Sequence, residues 1–295
     1  MRKRNLCLTA IFICCSLVIF SVAAAGAAPK QSKGLTGSAA DFKHAQFGKS
    51  SAHITNNWLP LRPGTQLTYK GSAIPEGQKT RVSRRVVSTV TNLSKSISGV
   101  RTLVLLEKDY TAGKLGESEI AFFAQDNRGN VWQLGEYPEE YENGKVVGHP
   151  TWINGQKGAR AGIAMLANPR VGTPDYAQGF APPPIDFKDR AKVYKTGQKT
   201  CVPVKCYKNV LVIEEFEQGV PGVFHLKYYA SGVGLVRVGW RGANEKEKET
   251  LALVKRQQLS GAALANARKQ ALKLDQNAYK RSKAVYGKTP KAKPL

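Results

Sequence analysis

The chain reads as a mainly β protein, an antiparallel curved sheet or half-barrel followed by a C-terminal basic α-helix. Three observations predict this fold. Roughly ten runs of strand-forming residues are joined by short turns, and none is separated from the next by the long crossover helix of a βαβ unit. Those runs are dense in β-branched and aromatic residues. After Gln258 the apolar spacing changes from two residues to alternating steps of three and four.

The first 27 residues have the three parts of a signal peptide. Arg2, Lys3 and Arg4 precede an uncharged run that is strongly apolar from Leu6 to Val22, and Ala25-Gly26-Ala27 supplies an A-x-A cleavage pattern. The run is also long enough to span a bilayer, but its Ala-rich end and the lack of a basic stop-transfer flank favour cleavage. Residues 28–57, rich in Gly, Ser and Lys, are expected to form a flexible arm that docks late. The antiparallel β domain is assigned to residues 58–258, and a basic amphipathic helix and tail to 259–295.

Pro60, Pro63 and Gly64 lead into a first strand at 65–71. A long alternating stretch from Thr80 to Leu93, a strand at 102–110 and another at 117–125 follow. Asp126-Asn127-Arg128-Gly129-Asn130 then separates two aromatic runs. Asp and Asn bond to nearby backbone and Gly accepts positive φ, so a hairpin turn is expected. A calcium loop needs several alternating acids, and Asp126 is the only one here. Residues 138–184 are less regular. Strands are expected again at 191–194, 208–216, 223–230, 234–240 and 250–256. At the C-terminus Leu264, Ala267, Ala271, Leu274, Ala278 and Val285 have helical spacing. Arg268, Lys269, Lys273, Lys280, Arg281 and Lys283 occupy other positions, placed to touch an anionic surface. The favoured reading is that the helix packs its Ala/Leu stripe on the β domain, or frays with a solvated basic tail, because Ala is a weak membrane anchor and no Trp or Phe accompanies it.

Four blocks, "NNWLPLRPGTQLTY", "FFAQDNRGNVWQLGE", "GARAGIAMLANPRVG" and "HLKYYASGVGLVRV", stand in the order seen in a group of bacterial exported proteins. Over about residues 56–241 the chain resembles that family of uncharacterised secreted proteins. The resemblance implies an extracytoplasmic, mostly antiparallel β domain and carries over no activity or catalytic residue. The very basic composition and the helix after Gln258 depart from the family pattern.

Composition narrows the function. The 295 residues hold 45 Lys+Arg against 21 Asp+Glu, a net charge of +24, or +21 without the three leader basics. Such a charge attracts lipid headgroups or acidic polysaccharide, and it also serves solubility. Outside the leader only Cys201 and Cys206 remain, and in an oxidising compartment they are expected to form a disulfide. No metal site, cofactor site or nucleophile elbow is visible. The acid groups Glu139-Glu140, Glu214-Glu215-Glu217 and Asp186/Asp189 are read as solvated strand-end charges rather than a hydrolase pair.

Two functional expectations follow for an exported, periplasmic or extracellular, non-catalytic protein. In the first, Trp58, Tyr69, Phe122, Trp132, Trp152, Tyr228, Tyr229 and Trp240 line a concavity for an amphiphile (lipid) or glycan, the alternative being an ordinary β core. In the second, the basic surface holds anionic polymers or lipids of the cell envelope in a structural or adhesive role. Nucleic acid is disfavoured by export and by the lack of a recognisable binding signature. The sequence leaves the oligomeric state open.

Overall fold

The structure, a computed structural model, describes residues 42–75 and 77–295; the expected signal peptide and the first part of the expected arm lie outside the described residues. Two meanders make the body. The first comprises β1 (Thr65–Ala73), β2 (Val82–Ile97), β3 (Val100–Thr111), β4 (Lys114–Gln125) and β5 (Val131–Glu142). Short strands follow: β6 (Lys145–Gly148), β7 (Trp152–Ile153), β8 (Arg160–Met165), β9 (Tyr176–Ala177) and β10 (Gly179–Phe180). The second meander is β11 (Asp189–Val202), β12 (Lys205–Glu217), β13 (Phe224–Ala230), β14 (Gly234–Arg241) and β15 (Thr250–Gln258). β15 pairs with β1, so one antiparallel sheet runs β8-β5-β4-β3-β2-β1-β15-β14-β13-β12-β11.

The two ends of that sheet meet on a single short piece of chain. β10 pairs with β8 and β9 pairs with β11, with only Gln178 between β9 and β10. The expected curved sheet is therefore a nearly closed barrel. Gln178 fixes the junction, its backbone N–H donating to the Asp189 carbonyl at 2.9 Å and its side-chain amide to Glu215 Oε1 at 2.9 Å. Close approach depends on two glycines. A Cβ at Gly162 would lie 2.2 Å from backbone atoms of Gln178 and Gly179, and one at Gly179 would lie 2.5 Å from the Phe187 ring.

The turn at residues 126–130 is a hairpin tip. The Asp126 carboxylate accepts from the backbone N–H groups of Arg128 and Asn130, from the Asn130 amide and from Trp132 Nε1, all at 2.8–2.9 Å. Gly129 takes φ 91°. The aspartate is thus occupied by its own loop.

Residues 42–57, expected to belong to a flexible arm, are docked on the barrel. Phe42 and Phe47 stand edge-on to the Trp132 ring with centroids 5.7 and 6.4 Å away, and Ala52 and Ile54 are buried. The Asn56 amide donates to the carbonyls of Gly129 and Leu166, while its oxygen accepts from the N–H groups of Trp58 and Leu59. Four apolar anchors in a Gly/Ser/Lys-rich background are enough to order this stretch, and composition averaged them away.

After the barrel, α1 (Gly261–Arg281) and α2 (Lys283–Tyr286) cover the outer face of the first meander, and β16 (Lys293–Pro294) pairs with β2. Ala267, Ala271, Leu274 and Ala278 form the buried stripe, so the helix packs on the protein. Lys95, fully buried on β2, joins Asp275 Oδ1 (3.0 Å), Tyr279 Oη (2.9 Å) and the Pro290 carbonyl (2.6 Å), using all three ammonium protons. Asp275 also accepts from Tyr286 Oη at 2.6 Å and from the Ala292 N–H at 3.2 Å. No helix among the described residues is long and apolar enough to cross a membrane.

Two substitutions test this frame by urea denaturation. Gly162→Ala forces backbone atoms apart at the closure and is expected to cost about 3 kcal/mol, whereas Gly116→Ala, with nothing nearer than 3.9 Å, should stay within about 0.5 kcal/mol. Lys95→Met strands the buried Asp275 charge and is expected to cost about 3–5 kcal/mol.

Candidate functional site

The strand faces decide where the expected aromatic site residues go. On β4, Phe122 faces outward under the C-terminal helices, 6.1 Å from the Tyr286 ring. Tyr69 points inward and donates to the Leu235 carbonyl at 3.0 Å. Trp152 donates to Glu136 Oε1 at 2.9 Å and packs on Phe187, while Trp132 is held by Asp126 and the docked arm. Tyr229 is buried; Trp58, Tyr228 and Trp240 are half-buried, the last two beside Arg237 and Lys248. The eight aromatics do not line one open concavity. Closure of the sheet and docking of the helices place them in separate packed regions. The apolar void bounded by Leu59, Leu67, Val90 and Leu235 has a volume of about 10 Å³, room for about one water.

The inner face carries something else. Leu103, Leu105, Glu107 and Asp109 alternate along one face of β3, and the paired residues on β4 are Phe123, Ala121, Glu119 and Glu117. Glu136 joins them from β5 and Arg84 from β2. Arg84 pairs with Asp109 and lies 3.5 Å from Glu249; burial disfavours its charge, but these two carboxylates hold its pKa above the ordinary value. Burial pushes Glu119 and Glu136 well above the carboxylate range, and the charge of Glu136 raises Glu119 further. The sequence signal was parity: on both strands the apolar face turns acidic without changing side. The acids named from sequence do not assemble. Glu214 faces outward to Lys192 and Arg241, while Glu215 faces inward to Gln178 and Lys227. No group of His, Cys, Asp and Glu among the described residues is arranged to hold a metal ion.

Near the inner cluster, His225 Nε2 lies 3.2 Å from Glu245 Oε2. Burial works against the imidazolium, yet the hydrogen bond and charge of Glu245 outweigh it and raise the histidine pKa. Glu245 is itself buried, but His225 and the N–H groups of Glu247 and Lys248 hold its pKa below the ordinary value. Burial raises Glu247 to about 7, with Glu249 and Glu245 adding and His225 opposing.

Burial, inside the barrel and beyond it, changes the exterior. Among the described residues eleven Asp and Glu are buried but only three Lys and Arg (Arg84, Lys95 and Lys227), so the solvent face is richer in positive charge than composition alone suggests. On α1, Lys269, Lys273 and Lys280 are exposed and fall within about 40° of one another around the helix axis. Lys283 is exposed just beyond. Arg268 is half-buried, and Arg281 lies 3.4 Å from Glu139, so those two are not part of the free stripe. Cys201 and Cys206 form the expected disulfide, directly opposed across the β11–β12 hairpin. Sequence reasoning passed over the exposed lysines of that hairpin, Lys195, Lys199, Lys205 and Lys208.

No protein-family model and no curated protein matches the chain. Two solved structures are similar to it. One is a Bacteroides fragilis protein described as a "putative exported protein with YmcC-like fold", at 12% identity and TM-score 0.39, covering 69% of this chain and 100% of that one. The other is a "putative lipoprotein" from Parabacteroides distasonis, at 12% identity and TM-score 0.37, covering 68% and 99%.

The interior titration has a definite sign. Glu247 and His225 both have raised pKa values in the fold, so their contribution to stability is full below their ordinary values and is lost as pH rises through the folded ones. For Glu247 that window runs from its ordinary 4.5 to about 7 and is worth about 3 kcal/mol. Glu247→Gln, which stays neutral, should lose about 3 kcal/mol less than the wild type between pH 4.5 and 8, read from denaturation curves.

Proposed function

We propose that the protein is an exported, non-catalytic envelope component that holds anionic polysaccharide on its lysine-rich surface. One observation carries the reading: acidic side chains are largely buried, many of them inside the barrel, while lysines line the outer face of α1. The leader sequence and the disulfide support export.

Polymer is favoured over lipid by the use already made of the helix. An interfacial membrane helix sinks its apolar face into the headgroup region. Here Ala267, Ala271, Leu274 and Ala278 are covered by the sheet, and Leu272 and Tyr279, next to Lys273 and Lys280, are half-buried against the core rather than free to insert. A row of ammonium groups along about 16 Å of helix suits an extended polyanion, which needs regularly placed point charges rather than insertion. The absence of exposed large aromatics among the described residues removes the stacking platform that single-stranded nucleic acid uses.

The test is binding to labelled dextran sulfate, read by anisotropy over a salt series. Replacing Lys269, Lys273, Lys280 and Lys283 by Ser should weaken binding and lower the slope of log affinity against log salt by about 3, by the counterion-release rule of about 0.7 per charge. The melting temperature should not move, since all four side chains are exposed. Unchanged affinity would sink the reading, and preferential binding to anionic phospholipid vesicles would replace polymer with lipid.

A further inference from the structure

β11 and β12 run beyond their neighbours. β9 pairs with β11 only at Arg190 and Ala191, and β13 pairs with β12 only from Leu211 to Glu215. Residues 195–210 therefore form a two-stranded ribbon with no further strand among the described residues paired beside it, its Thr200, Tyr207 and Val210 buried against the barrel and its lysines turned to solvent. Such a ribbon is marginal in water when left alone. Here the Cys201–Cys206 disulfide joins its strands one pair before the exposed Pro203-Val204 turn.

The ribbon's charge is of one sign. No Asp or Glu occurs between Arg190 and Ile213. Lys195, Lys199, Lys205 and Lys208 are all exposed, and no ion pair to an acid is formed by any of them among the described residues. Lys195 and Lys205 rest near tyrosine rings, their ammonium groups 4.9 Å from the Tyr194 centroid and 5.1 Å from the Tyr207 centroid. Holding lysines over rings limits their motion and leaves their charge facing solvent. In the sheet order, β11 and β12 are separated from β2–β5, which carry α1, by β1, β15, β14 and β13 on one side and by the short closing strands on the other. The ribbon and the helix are thus separate basic surfaces on different parts of the barrel wall.

We propose that the ribbon is a second anionic-polysaccharide contact, and that one molecule, using helix and ribbon together, cross-links two polymer chains. The inference rests on the helix stripe being a polyanion site, and its test separates the two. Two separate contacts can each take a different chain and so join chains into a network, whereas a single contact only coats them.

Long dextran sulfate is titrated with protein and followed by light scattering, while a short labelled fragment reports binding. The wild type should give a scattering maximum at intermediate protein-to-polymer ratio. The ribbon variant, with Lys195, Lys199, Lys205 and Lys208 replaced by Ser, should still bind the short fragment through the helix, with scattering reduced about tenfold or more. The helix variant should likewise bind through the ribbon without networking. A Cys201→Ser/Cys206→Ser variant, which keeps every lysine, should network less than the wild type. Undiminished scattering from the ribbon variant overturns the cross-linking inference. Loss of all fragment binding in the helix variant overturns it too, and leaves the helix reading intact. Full binding by the helix variant with none by the ribbon variant overturns both.

Discussion

Closure of the sheet at residues 176–180 is the constraint on which the rest depends. Five residues serve two edges at once: β9 pairs with β11, β10 pairs with β8, and Gln178 between them bonds to Asp189 and Glu215. A sheet with free ends exposes unpaired backbone groups and admits water to its concave face. Joining the ends removes those edges and shuts the inner face off from solvent. The absence of side chains at Gly162 and Gly179 makes this approach geometrically feasible. Trp152 and Phe187 then pack at the junction, converting the close backbone approach into apolar burial.

A shut interior would ordinarily be apolar throughout. This one changes along its length, from Leu103, Leu105, Ala121 and Phe123 to Glu107, Asp109, Glu117 and Glu119. Desolvation makes several charged carboxylates at close quarters costly, and the interior answers in two ways. Arg84 pairs with Asp109 and lies 3.5 Å from Glu249, although burial outweighs that pairing and raises the Asp109 pKa well above its ordinary value. Burial raises the pKa of Glu119 and of Glu136 well above the ordinary carboxylate value. The acids of this interior are withdrawn from the surface, where they would screen the lysines. Interior chemistry and exterior charge are two sides of one distribution.

How much of this was legible in the sequence depended on the range of the signal. Alternation and turn residues marked the long strands because each strand's pattern is local. The hairpin at Asp126–Asn130 was readable for the same reason, since the aspartate bonds only within its own loop and to nearby Trp132. The closing strands were not readable: two-residue pairings such as β9 and β10 have no periodicity, and their meaning lies in partners remote along the chain. The docked arm was hidden in a Gly/Ser/Lys-rich background. Aromatic content suggested a cavity, but the count of Trp and Tyr does not say which face each occupies. Register does, and it places Phe122 outside and Tyr69 inside. The acidic face was open to the same parity argument from Leu103 to Asp109 and simply ran against the expectation that acids are solvated.

The C-terminal helix shows why amphipathic spacing alone is an ambiguous signal. The spacing of the Ala267–Ala278 stripe fits either a membrane or a protein surface, although its small residues and lack of Trp or Phe favour the protein. Lys95 decides between them. Its fully buried ammonium sits on β2 with no solvent to stabilise it, and Asp275, Tyr279 and the Pro290 carbonyl satisfy it only when the helix and tail are in place. Releasing the helix to bind a bilayer would uncover Lys95 and Asp275 together, expose the apolar stripe and separate β16 from β2. Small residues along the stripe bring the helix close enough for this buried pair to form, and the same orientation turns Lys269, Lys273 and Lys280 to solvent. Anchoring the helix by its inner charge is what fixes the direction of its outer ones.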